Sequence, residues 1–350
     1  MSIRPEIKAL GAYKFEAKAY QVKLDQNESP YDLPQALKEK LLERLLNIPF
    51  NRYPDLKAES LSDLLAQKLG WPAKGILVGP GSNTLLRRFV EGCGIGQRVL
   101  TLHPTFSVYS LDANTLDPIS LSEVPLNDDF SLPLKTLKAE LAQGTGVFFI
   151  ANPAAPSGNL HPEAEVISLI EAAKEHSWTV VIDEAYHQFS GTDYKNIVKR
   201  YPNVISVRTF SKAYGLAGIR LGYCFGHPEI IGELRKTLTP FGISSLQLET
   251  LKLVLSEGDE FVERYIAEVK SERERIFKAL DALAIPYKPS VTNFFLILSD
   301  EPAKLYQALL DKGILVRRQD HLIQGALRVS IGTPSENDAF LSALAAIKAF

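Results

Sequence analysis

The feature that most constrains this chain is an alternation of pattern. Short apolar runs rich in β-branched residues, GILVG at 75–79, RVLTL at 98–102, GVFFI at 146–150, TVVID at 179–183 and NVISV at 203–207, are separated by longer amphipathic stretches. The runs are too short for helices and read as buried strands. Helical patterns lie between them, over 55–69, opened by Pro54 and Asp55 and closed by Gly70, and over 162–176, opened by Pro162. Strand and helix in turn predict an α/β fold, a mostly parallel sheet covered by helices on both faces. After about residue 240 the pattern changes to a long charged helix, 258–283, strands at 293–298, 313–317 and 326–331, and a final helix from about 335. That tail predicts a smaller α+β domain.

At 350 residues the chain exceeds the usual size of one domain. We expect a large domain over 45–240 and a small one formed by 1–44 and 241–350. With 39 basic and 41 acidic side chains, the net charge of -2 gives no general attraction to nucleic acid or an anionic membrane. Any anion selectivity must be local. Cys93 and Cys224 lie far apart with no paired-ligand spacing, which argues against a disulfide framework or a structural zinc and for a reducing compartment. The opening MSIRPEIKALGAYKFEAKAY lacks the apolar core of a signal peptide, and no apolar run approaches the roughly 20 residues of a membrane span. A cytoplasmic protein is expected.

The sharpest local feature is TFSKAYGLAGIRLGY at 209–223, directly after a strand. A Ser-Lys pair by itself is a solvated surface more often than a site. Here Lys212 sits among Thr209, Ser211, Gly215 and Gly218 with Arg220 following, so hydroxyls, backbone N–H groups and a guanidinium can gather beside one amine. In VVIDEAYHQF, Asp183 ends an apolar run, at the strand end where parallel sheets present residues to a ligand. A carboxylate there is costly unless paired. Glu184 and His187 are possible structural partners; the alternative is a cationic ligand atom such as a protonated pyridine nitrogen. GPGSNTLL at 79–86 follows a strand and opens a helix, so Gly81, Ser82 and Asn83 can offer N–H groups to a phosphate, or form a plain structural turn. In HPTFSVY, Phe106 follows another strand end and either stacks on a planar ligand or belongs to the core. GCGIGQ at 92–97 precedes a strand and is a helix-to-strand turn, not a dinucleotide loop. The histidines and cysteines show no metal-binding spacing, so no metal is expected.

Taken in order, IRPEIKALGAY, KLDQNESPY, RYPD, GPGSN, HPTFSVY, NPAAPSGN, DEAYHQF, TFSKAYGLAGIRLGY, GILVRR and LRVSIGTPSEN run nearly end to end. The chain resembles the fold-type I pyridoxal-phosphate aminotransferases, and among them most closely the histidinol-phosphate aminotransferases. The resemblance implies a mixed, mostly parallel seven-stranded sheet and pyridoxal 5'-phosphate as cofactor. It implies that Lys212 is the Schiff-base lysine and the base for the substrate α-proton. Asp183 would pair with the pyridine nitrogen, Tyr186 with the ring hydroxyl, and Phe106 would stack on the ring. Gly81, Ser82, Asn83, Thr209, Ser211 and Arg220 would hold the phosphate. Tyr53 would reach the phosphate from a neighbouring subunit, in a homodimer with shared sites. Arg328 matches a clamp for a substrate carboxylate, and Arg317 lies where an anionic substrate group is expected; both also read as surface arginines of a hairpin. Asn27 and Asn293 are further pocket candidates. The implied reaction joins L-histidinol phosphate and 2-oxoglutarate to imidazole-acetol phosphate and L-glutamate. Threonine-phosphate decarboxylation, an aromatic or broad-specificity transamination, and a non-catalytic cofactor-binding module are the other readings.

One position departs from the pattern. Where the family usually carries an asparagine that donates to the cofactor ring hydroxyl, NPAAPSG has Ala155. The lost donor leaves Tyr186 as the main partner, with Asn152 as a possible substitute.

Overall fold

The alternation is what the chain adopts. A computed structural model describes residues 3–4, 7–8, 18–116 and 118–347. Most of the opening IRPEIKALGAY segment lies outside the described residues. After a short β1 (Val22–Lys23), seven strands form one sheet: β2 (Ile76–Gly79), β3 (Arg98–His103), β4 (Ser120–Pro125), β5 (Gly146–Ala151), β6 (Thr179–Asp183), β7 (Val204–Thr209) and β8 (Gly222–Phe225). Their order is β2-β8-β7-β6-β5-β3-β4. The pairs β4–β3, β3–β5, β5–β6 and β6–β7 are parallel, and β8 runs antiparallel to both β7 and β2.

Both faces of this sheet are covered, which is why its strands read as unbroken apolar runs. Along β5 and β6, Phe148, Ile150, Val180 and Ile182 enter one core, and Val147, Phe149 and Val181 enter a second on the opposite face. Side chains alternate across the sheet as the strand period requires. The chain leaves β3 for β4 on one side and returns to β5 on the other, so strand order reverses between β3 and β5. A ligand crevice forms at such a reversal, outside the carboxyl ends of the strands.

Two of these strands were not evident from sequence. β4, SLSEVP, lies at an edge and is only partly buried, so it carries little apolar signal. β8, GYCF, is four residues long and follows a loop. The helix expected over 55–69 begins instead at Glu59. Asp55 accepts from the Ser60 N–H at 2.9 Å, and Ala58 has a φ of 52°, so the chain turns before the helix can start.

The second part is antiparallel, with β9 (Tyr287–Lys288), β10 (Phe294–Leu298), β12 (Arg317–Arg318) and β13 (Ala326–Ser330) in the order β12-β13-β10-β9; β11 (Ile314–Leu315) pairs in parallel with β1. Helices Asp259–Ala282 and Pro334–Ala346 pack here through Tyr265, Ile276 and Phe340. The latter helix is started by a capping box, with Thr333 accepting from the Glu336 N–H and Glu336 accepting from the Thr333 N–H. This core also takes in Ala155, Tyr186 and Ala213 from the loops of the large sheet. The described residues of 1–44 and 241–350 divide between two cores: Leu37, Leu248 and Leu251 join that of the seven-stranded sheet. Among the described residues no helix is long and apolar enough to cross a membrane.

Candidate active site

The carboxyl ends of β5, β6 and β7 and the loop after β3 surround a cleft of about 190 Å³ that opens on Lys212, Asp183, Phe106 and Tyr186. Ser82, Asn83, Thr209, Ser211 and Arg220 line the same cleft. Segments from widely separated parts of the chain thus converge on one volume, as a parallel sheet arranges.

One end is rich in donors. Helix Ser82–Cys93 starts at the cleft with no side-chain cap and no acidic residue in its first turn. Its terminal N–H groups and dipole favour an anion. Two glycines shape this end. Gly81 has a φ of 88°, and a Cβ there would lie 2.9 Å from Nη2 of Arg220. A Cβ on Gly222 would come within 2.6 Å of the Ser82 nitrogen, so only glycine lets β8 run this close to the helix start. Arg220 donates from Nη1 to Ser211 Oγ at 3.3 Å and to the Ala217 carbonyl at 3.1 Å. Thr209 Oγ1 accepts from the Ser211 N–H at 3.1 Å.

The other end carries a buried carboxylate. Asp183 accepts from the Tyr109 hydroxyl at 2.7 Å and from the Ala185 N–H at 3.1 Å. Burial pushes its carboxyl up to about 6, against the lowering effect of these two donors. The partners considered in sequence, Glu184 and His187, are engaged elsewhere. Glu184 points to the opposite face, where it pairs with Arg208 at 2.9 Å, and His187 hydrogen-bonds the Thr192 carbonyl at 3.2 Å. Tyr109 is the residue that sequence reasoning missed. Its ring stacks on Phe149 at 4.9 Å and meets Phe106 edge-on at 5.7 Å, so it joins the stacking ring to the carboxylate.

Lys212 lines the same cleft. Its Nζ donates to the Gln26 carbonyl at 2.9 Å and sits 5.7 Å from the centre of the Tyr186 ring. Burial lowers its pKa, opposed by Tyr186 and aided by Arg328. The aiding charge thus comes from β13 of the small sheet.

Six expected site residues lie outside the cleft lining: Gly81, which precedes the helix start, and Tyr53, Asn27, Asn293, Arg317 and Arg328. Tyr53 is 82% exposed and stacks on Phe241 at 4.6 Å. Asn27 is buried behind Tyr186 and donates to its hydroxyl oxygen at 3.0 Å. Arg317 and Arg328 are cross-strand partners on β12 and β13, and Arg328 also donates to the Asp25 carbonyl at 2.9 Å. Asn293 is buried against Asn27. Ala155 does line the cleft. Asn152 cannot replace its missing amide: its Oδ1 accepts from the His161 N–H at 3.0 Å, and its Nδ2 donates to the His161 carbonyl and the Tyr194 hydroxyl.

The amine, the helix start, the buried carboxylate and Phe106 share one cleft, in a chain that is similar to known proteins over nearly its whole length. The family model for class I and II aminotransferases matches residues 19–344. A histidinol-phosphate aminotransferase of Deinococcus radiodurans is 44% identical over 99% of this chain and 96% of its own length. One from Thermococcus kodakarensis is 40% identical over 98% and 97%. The chain belongs to the class I and II aminotransferases, in the histidinol-phosphate aminotransferase family. The fold agrees. The crystal structure of a histidinol-phosphate aminotransferase from Sinorhizobium meliloti, in complex with pyridoxal-5'-phosphate, superposes with a TM-score of 0.86 at 24% identity, over 98% of this chain and 96% of that one. The cleft therefore coincides with the strand-order reversal of the large sheet, and the small sheet bearing Arg317 and Arg328 contributes no residue to its lining. Among the described residues no group of three or more His, Cys, Asp or Glu side chains is placed to hold a metal ion.

Proposed function

We propose that this aminotransferase uses pyridoxal 5'-phosphate, bound through Lys212, to move the amino group of L-histidinol phosphate to 2-oxoglutarate. The observation that carries the reading is the cleft itself: a buried carboxylate pushed up to about 6, an amine held below its ordinary range, and a donor-rich helix end share one volume. The residues fit the cofactor. Ser82, Asn83, Thr209, Ser211 and Arg220 would hold its phosphate, Phe106 would cover its ring, Tyr186 would meet the ring hydroxyl and Asp183 the ring nitrogen. A cationic ring atom beside Asp183 compensates a carboxylate that has no cation in direct contact among the described residues. When bound, the cofactor supplies an electron sink for the substrate carbon.

The chain's own residues do the rest. Asp183 keeps the ring nitrogen protonated. Lys212, with burial disfavouring its charged form, takes and returns the substrate α-proton at Nζ. Arg317 and Arg328, side by side on antiparallel strands, offer two guanidinium groups to the anionic part of the substrate, carboxylate or phosphate. Asn27 supports Tyr186.

We further propose a homodimer in which Tyr53 serves the neighbouring cleft. Leu42, Leu46, Phe50 and Tyr53 expose large apolar surface along one stretch of chain, between 62% and 86% exposed, and such surface marks an interface. Cys93 and Cys224 are free thiols, which fits a reducing compartment, and we place the enzyme in the cytoplasm.

The test is a half-reaction. Cofactor-loaded protein is mixed with L-histidinol phosphate and, separately, with several amino acids, and the visible absorbance is followed. Histidinol phosphate should discharge the visible band fastest, and 2-oxoglutarate should restore it with release of glutamate and no CO2. No response to histidinol phosphate with rapid turnover of an aromatic amino acid contradicts the substrate assignment, and CO2 release contradicts transamination.

A further inference from the structure

Ala155 and Tyr186 both line the cleft, and of the two only Tyr186 carries a side-chain donor. Tyr186 lines the cleft, its ring set edge-on against Phe294 at 5.0 Å. Behind it lies Asn27, 1% exposed and with a φ of 54°, a backbone conformation that asparagine tolerates better than most residues. Three contacts fix Asn27. Its N–H donates to Ser330 Oγ at 2.8 Å, Ser330 Oγ donates in return to Asn27 Oδ1 at 3.2 Å, and Asn293 Nδ2 donates to its carbonyl at 3.2 Å.

These contacts determine which way the amide faces. Because Ser330 accepts from the Asn27 backbone, its own proton is free for Oδ1, and Nδ2 is left to face Tyr186. Nδ2 donates to the Tyr186 oxygen at 3.0 Å. A hydroxyl that accepts on one side gives its proton to the other, and accepting strengthens it as a donor.

We infer that Asn27 is a positioning residue that turns the Tyr186 hydroxyl to donate into the cleft, and so stands in for the amide donor absent at Ala155. The inference rests on the proposed cofactor reading, because the acceptor it serves is the cofactor ring hydroxyl. It places the function of Asn27 in the protonation behaviour of the bound cofactor and not in direct contact with substrate. The titratable groups facing Tyr186 are Lys212 over its ring and Tyr109, with Glu28 and Arg328 acting through Lys212. Phe294 separates Tyr186 from the guanidinium of Arg328, which lies 5.5 Å from its ring centre. Asn27 is the neutral member of the set, so its replacement by alanine leaves the local charge unchanged.

The experiment titrates the visible absorbance of the cofactor-loaded protein against pH, with no substrate present. Donation by Tyr186 stabilises the anionic ring oxygen, which lowers the pH of the spectral transition. In Asn27→Ala the transition should rise by about one unit, a tenfold change in proton affinity. Adding Ala155→Asn to that variant should lower the transition by more than the same change does in the parent. A transition in Asn27→Ala equal to the parent's overturns the inference. Should Asn27→Ala fail to fold, Asn27→Gly is read by the same rule: glycine adopts the backbone conformation freely, adds no charge and loses the amide donor, and an unchanged transition again overturns the inference. If the parent shows no cofactor band, the cofactor reading itself falls, and the inference with it.

Discussion

Asp183 and Glu184 are neighbours in sequence and almost equally buried, at 6% and 0% exposed, yet they face two different regions. Glu184 points away from the cleft into a set of donors. It accepts from Ser206 Oγ, from Arg208 Nε at 3.1 Å and Nη2 at 2.9 Å, and from the Tyr194 N–H at 3.1 Å. Arg208 is itself tied to Asp193 at 2.7 Å and lies 4.9 Å from the Phe225 ring centre. Asp183 faces the cleft with a phenol and one N–H. Burial costs both carboxylates. Among the described residues a cation in direct contact offsets that cost only for Glu184, which leaves Asp183 poised for a cationic partner from outside. The difference separates a residue that maintains the architecture from one that binds.

The comparison is broken most severely by removing Arg208. Arg208→Leu leaves Glu184 buried without its cation and should cost about 3–5 kcal/mol in a denaturant titration. A loss below about 1 kcal/mol would mean that the pair does not hold the strand ends.

Asp183→Asn should act in the opposite sense. Turnover should fall by about a hundred- to a thousandfold, because the preorganised charge facing the cofactor is lost, while unfolding stability at pH 7 stays level or rises. A variant that unfolds as readily as Arg208→Leu would erase the distinction between the two carboxylates.

The pH dependence sharpens the same point. The folded Asp183 carboxyl titrates at about 6 and an unfolded one near 4, so between these values the folded state keeps a proton that the unfolded chain has lost. Its contribution therefore weakens as pH rises through that window, by roughly 2–3 kcal/mol in the cofactor-free protein. His161 and His187, lowered by burial to about 4 and about 3, act in the opposite sense and lose stability as pH falls below the ordinary histidine range. The quantity to measure is the stability of the parent minus that of Asp183→Asn, in which the histidine effects cancel. A flat difference from pH 4 to 6 would contradict the buried-carboxylate account.

The smallest effect belongs to Tyr109→Phe. Loss of its hydrogen bond should raise the Asp183 carboxyl further and reduce turnover by about tenfold, a cost on the order of 1 kcal/mol, with the stacked ring retained. Turnover equal to the parent's would remove Tyr109 from the site.

What was legible in the sequence follows the locality of each signal. Continuous apolar runs marked β2, β3, β5, β6 and β7, and the end of the β6 run marked Asp183. Strand alternation then requires Glu184 to face the other way. Lys212, Arg220 and the phosphate-side hydroxyls sit within one loop and were found together. Tyr109 lay three residues after Phe106, in the first turn of the helix Val108–Thr115, where its ring meets Phe106 edge-on. Its role depends on a partner in β6, which no local pattern reveals. Asn27 was noticed only as a pocket candidate, because its contacts with Tyr186 and Ser330 join segments remote in sequence. The aid that Arg328 gives Lys212 was hidden for the same reason. β4 and β8 escaped notice because an edge strand and a four-residue strand carry too little apolar pattern.

The central claim is that Lys212 carries the cofactor in the cleft facing Asp183. The most direct measurement is borohydride reduction of the protein with pyridoxal 5'-phosphate, followed by proteolysis and mass spectrometry of the peptides. One cofactor adduct should be found, on the peptide containing Lys212, and it should disappear in Lys212→Ala. An adduct on another lysine, or none in the folded parent, would contradict the account.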